Sequence, residues 1–197
     1  MTSSPSLSDI FQCVLPLLGT DDFPAYRHPL GFFHISPRKL ANIRIHIWPG
    51  PSKAPPQSRF PTIHNHLFSF ESRVLVGRVL NKRYCLKSCE QGALRRFRIK
   101  YKGEVSELTP LEDFASIVSV TEEEIKASHT YSLSAEEYHS SIADEGTVTI
   151  LRTKHTENAN VFVLKERSHN TSLRFTRQKI SFEELRQTLL ELKLVLR

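Results

Sequence analysis

The sequence predicts a mostly β, single-domain protein with a short helix at each end, and three observations carry that prediction. Two stretches, NIRIHIW at 42–48 and LRRFRIKYKG at 94–103, alternate apolar and polar residues with the period of two that belongs to a strand. Prolines and glycines punctuate the chain at short intervals, as turns between strands require. Helical spacing of apolar residues is confined to the two ends. With 197 residues, 39% of them hydrophobic, and no internal repeat, the chain has material for one full core.

Taken in order, Ser6 to Leu18 reads as a short helix capped by Ser6 or Ser8. Ile10, Phe11, Val14 and Leu18 share one face, Pro16 interrupts it, and the helix is expected to pack outside the main sheet. Thr20 to Lys39 mixes prolines with aromatics, a pattern of turns and edge strands, and its His28 and His34 have no neighbour at ligand spacing. In the strand Asn42 to Trp48, Ile43, Ile45 and Ile47 form a core face. Arg44 and His46 project together on the other face, a grip for an anionic substrate if that face lines a cavity and merely solvated if it does not. The proline-dense stretch 49–61 cannot join a central sheet and reads as a loop rimming whatever pocket follows.

Pro61 to Gly77, PTIHNHLFSFESRVLVG, is the most specific segment. On an extended chain His64 and His66 leave the same face, Leu67 to Phe70 suffices for a tight reversal, and Ser72 to Val76 reads as a second strand stopped by Gly77. Such a hairpin would gather two imidazoles and the Glu71 carboxylate around a first-row metal ion. Arg78 to Leu86 and Leu94 to Lys102 follow as strands. The second sets Arg96, Arg98, Lys100 and Lys102 against Phe97, Ile99 and Tyr101. Nucleic-acid binding needs aromatics on the same face as the cations, so a solvated outer strand is expected and no nucleic-acid partner. The fold of 104–119 is left open between strand and loop. Thr121 to Leu133 turns from an acidic run into a strand with His129, Tyr131 and Leu133 on one face. Ser134 to Glu137 makes a turn before His139, and a turn at 144–146 leads into the strand 147–153. His129 and His139 both stand as candidates for a third imidazole. Further strands are expected at 160–165 and 172–178. Finally Ser181 caps a helix with Glu184 completing the capping box and Phe182, Leu185, Leu189 and Leu192 as its stripe.

The order His-x-His, four residues, Glu, a short apolar run and Gly in this segment resembles the first signature motif of the cupin superfamily, and His139 after its turn resembles the histidine of the second. The resemblance implies a double-stranded β-helix barrel over residues 43–165, with an N-terminal extension (1–42) and C-terminal strands and helix (166–197) in the same domain. It further implies a mononuclear divalent metal, Fe(2+) first, held by His64, His66 and His139. Glu71 would be a fourth ligand or base, and Arg73 would meet a substrate carboxylate. The implied activity is that of a non-haem iron dioxygenase acting on a small anionic metabolite; no HxD pair of the kind used by 2-oxoglutarate oxygenases occurs. Three alternatives stand beside it: a metal-dependent isomerase or lyase, a metal-free sugar epimerase with histidine as base and Tyr131 or Tyr138 as acid, and a non-catalytic binding module.

A net charge of +6 without a block of like charge excludes a polybasic tail. Cys13, Cys85 and Cys89 match no disulfide framework or zinc finger. The N-terminus lacks a basic, apolar leader and no run of about eighteen apolar residues occurs. A soluble, cytoplasmic protein without a membrane partner is expected, and a homodimer is compatible with the sequence.

Overall fold

The computed structural model describes residues 7–50, 53, 62–156 and 160–193, without the side chains of 7, 8, 10, 11, 155 and 156. In chain order the elements are α1 (Leu7–Val14), a 3-10 turn (Leu15–Leu17), β1 (Ala25–Arg27), β2 (Phe33–Ile35), β3 (Ile43–Ile47), β4 (Ile63–His64), β5 (Phe68–Val76), β6 (Arg78–Ser88) and β7 (Leu94–Lys102). There follow β8 (Val105–Lys126), β9 (Thr130–Leu133), β10 (Tyr138–Ala143), β11 (Val148–Thr156), β12 (Val161–Glu166), β13 (Leu173–Thr176), β14 (Lys179–Ile180) and α2 (Phe182–Glu191). The protein is mostly β, as the alternating patterns require, with two antiparallel sheets and two short helices.

The first sheet runs β14-β1-β2-β3-β11-β5-β9 and the second β13-β8-β6-β10-β4-β12-β7. β1 and β2 are thus full members of a sheet. In the first sheet Ile43, Ile45, Ile47, Val148 and Ile150 turn outward and are covered by Val14, Leu18, Leu185 and Leu189, so the end of α1 and the apolar side of α2 lie on that outer face. Ser181 caps α2 by accepting the Glu184 N–H at 3.0 Å. Phe182 departs from the expected stripe and is exposed. The inner faces of the two sheets meet through Phe70, Val74, Tyr131, Leu133 and Leu151 of the first and Val79 and Ile125 of the second. The cap residues Ser6 and Ser8, the side chains of Ile10 and Phe11, and most of the 49–61 loop lie outside the described residues.

Two expectations change. Leu67 does not begin a tight hairpin: β4 belongs to the second sheet and β5 to the first, so the link after His64 carries the chain from one sheet to the other. The open stretch 104–119 and the acidic run after it form one continuous strand, β8. Its first half pairs with β7 and its second with β6, and Pro110 sits at a break in the β7 register, where a missing N–H is tolerated. The acidic run holds strand form because Glu122 lies opposite Lys82 and pairs with it, while Arg78 meets Glu124 at 2.9 Å. All three cysteines are free. Among the described residues no helix is long and apolar enough to cross a membrane.

Candidate metal centre

Three strands of the second sheet bring the histidines together. β10 lies beside β4 with His139 opposite His64, and β6 flanks β10 with Arg83 opposite His139. His66 follows two residues after His64 in the link to β5. There the buried Asn65 accepts the Phe162 N–H at 2.7 Å and the His66 N–H is held by the Ala135 carbonyl at 3.0 Å. The pair converges through this anchored bend rather than through the pleat of one strand.

One ligand nitrogen from each of His64, His66 and His139 lies within 4.8 Å of the others. The Nε2 atoms of His66 and His139 are 2.8 Å apart. Metal–nitrogen bonds of about 2.0–2.1 Å meeting near a right angle would put two donors about 2.9 Å apart, so this spacing suits one ion. Ring tautomers follow from the outer contacts. The Thr62 carbonyl, 2.8 Å from His64 Nδ1, can only accept, which places that proton on Nδ1 and leaves Nε2 with a lone pair. His139 Nδ1 donates to Asn81 Oδ1 at 2.8 Å, and Ser141 Oγ donates to the same oxygen at 3.3 Å. Burial holds all three imidazoles below their ordinary protonation range, and mutual repulsion with His64 adds to it for His66 and His139. A neutral cluster of this kind is a ready set of donors for a divalent ion.

His139 is thus the third member, and His129 lies exposed in the turn before β9, its Nδ1 3.2 Å from the Ala127 carbonyl. Glu71 and Arg73 are not brought to the cluster. Their register partners are Arg152 and Ile150, and Ile150 belongs to the outward, helix-covered face. Phe70, one residue away, takes the inward position and sets its ring edge-on to His66 with centroids 5.0 Å apart. The displaced Glu71 follows from the sheet-to-sheet link, which sets the parity of β5. Tyr138, next to His139 on β10, faces the opposite side, where it bonds Arg96. Tyr131 is buried on the inner side, where its ring stands edge-on to Phe70 with centroids 6.1 Å apart. Arg44 and His46 do line the inner face: Arg44 shares a register row with Leu151 and Ser72, and His46 one with Thr149 and Val74.

Sequence reasoning missed Asn81 and the inward placing of His28 and His34. Asn81 carries a signal, since it shares strand parity with the core residue Val79 and is a polar residue on an apolar face. No protein-family model matches the chain and no curated protein matches its sequence.

Proposed function

We propose that His64, His66 and His139 hold one divalent metal ion, iron foremost, in a cupin-type barrel, and that the protein is a mononuclear non-haem dioxygenase acting on a small anionic metabolite. The observation that carries this reading is the convergence of three neutral imidazoles, two of them with Nδ1–H committed to outer partners. Ferrous iron, when bound, supplies open coordination positions for a chelating anion and electrons to dioxygen. Asn81 and the Thr62 carbonyl keep the two Nε2 lone pairs aimed inward. Phe70 covers the cluster and limits water around it. With Arg73 on the far face, Arg44 is the cation that supports binding of a carboxylate. The epimerase alternative is less favoured for Tyr138, which alternates to the face of β10 opposite His139.

The test is elemental analysis of the purified protein, followed by oxygen uptake by the ferrous form with a panel of small carboxylates. One ion per chain in the wild type, lost in His64→Ala, His66→Ala and His139→Ala, is expected. Retention of metal by all three variants overturns the site. Equal product formation with and without oxygen replaces the dioxygenase by an isomerase or lyase.

A further inference from the structure

The turn at 134–137, between β9 and β10, serves two of the three histidines. Its Ala135 is buried and grips the β4–β5 link at two points: the carbonyl accepts the His66 N–H at 3.0 Å, and the N–H donates to Ser69 Oγ at 3.1 Å. His139 follows the turn by two residues and joins the same cluster. Glu137 gives the turn its form. One carboxylate oxygen accepts the Ser134 N–H at 2.6 Å, and the Glu137 N–H donates to the Ser134 carbonyl at 3.3 Å. The other oxygen accepts from Arg83 at 2.8 Å. Arg83 stands on β6 in the second sheet, opposite His139 in register, and donates at 2.9 Å to the Ser132 carbonyl of β9 in the first sheet. Glu123 is farther off, 3.8 Å from the guanidinium. One side chain thus ties the turn to both sheets.

We propose that Arg83 and Glu137 are a pair of positioning residues for the metal cluster, setting the turn that holds the His66 backbone and delivers the His139 ring. His66 needs such support, because it lies between β4 and β5 and no strand ladder fixes it. A ligand atom must be held to within about 0.5 Å of its place to be useful to an ion. The chemistry of the pair fits the task. A forked guanidinium reaches a carboxylate and a carbonyl together, where an ammonium would serve as a single point charge. A carboxylate accepts from Ser134 and from Arg83 at once, whereas an amide would turn its NH2 toward one of these donors. The two side chains are 33% and 37% exposed, and an ion pair so open to water adds little to global stability. Its loss is therefore felt at the histidines before it is felt by the fold. The purpose of the clamp rests on the metal reading, but the clamp itself is made of hydrogen bonds that need no ion.

Co(2+) is the probe, with its affinity taken from competition against a chelator, its coordination from the visible spectrum, and urea midpoints of metal-free protein measured alongside. Arg83→Met and Glu137→Gln are expected to weaken Co(2+) binding about tenfold and to alter its spectrum, with urea midpoints near that of the wild type. Arg83→Lys, which can keep the Glu137 contact, should recover part of the affinity. A merely structural pair would lower the urea midpoint and leave affinity and spectrum unchanged, and that result overturns the proposal. Amide hydrogen exchange of the metal-free protein gives a readout without any ion. The His66 N–H should exchange about tenfold faster in Arg83→Met and Glu137→Gln, while amides of β11 keep wild-type rates. Wild-type protein that takes up no Co(2+) refutes the metal reading, and faster His66 exchange in the variants then still sustains the clamp. Unchanged His66 exchange overturns the clamp whether or not metal binds.

Discussion

Asn81 decides more at the candidate site than the residues the sequence marks most loudly. Fully buried on β6, it holds the proton on His139 Nδ1. Asn81→Leu would free that ring to rotate or change tautomer, and metal affinity should fall about 10- to 100-fold, the usual cost of losing such an outer contact. Asn81→Asp keeps an acceptor and should retain binding; titration with a competing chelator measures both. Glu71→Gln and Tyr138→Phe should leave the affinity unchanged, since both side chains face away, and an equal loss in either would contradict the register of β5 or β10. The choice of His139 over His129 was readable only through the likeness of its flanking turn and strand to the second motif. Asn81 was harder to read, because its role depends on β6 lying beside β10, a pairing between segments far apart in sequence.

Among the elements, the link from β4 to β5 explains both the success and the failure of the motif. Its length and its histidines were legible; that it changes sheets was not, because a four-residue gap fits a hairpin and a crossing equally well. β8 is the same problem enlarged. Its acidic run looks like a solvated loop until the basic residues of β6 stand opposite it. Gly77, which ends the motif, joins β5 to β6 at a φ of +75°, and a Cβ there would lie 2.4 Å from Thr147 Oγ1. Gly77→Ala combines that clash with left-handed strain and should cost about 1–3 kcal/mol in a urea titration. On β7, Arg96 is paired with Asp113 at 2.5 Å on the outer face. Replacing Arg96, Arg98 and Lys100 with Gln should therefore leave metal content unchanged, and neither version should retain DNA at moderate salt.

Over the whole molecule, the inward histidines make stability depend on pH. Burial lowers His28 and His46 well below 6.5 and His34 to about 3, so the fold keeps them neutral where the unfolded chain takes up protons. Their contribution is complete above pH 6.5 and is lost as pH falls from there toward 3. Each adds at most about 1.4 kcal/mol per pH unit in that window. Urea midpoints of metal-free protein should drop between pH 7 and pH 5, and His34→Gln should flatten the slope. The β class and the terminal helices were visible in local periodicity, whereas the histidine cluster arises from which distant strands lie beside each other, a long-range property. The cluster's sequence spacing has a kinetic consequence. His66 and His139 are 73 positions apart, and only His64 and His66 are near neighbours in an unfolded chain. Closing that loop is slow relative to local pairing, so during refolding tight metal capture should lag behind collapse and appear only with the docking of β10. A rapid-mixing experiment with a coloured ion such as Co(2+) would thus time the assembly of the second sheet.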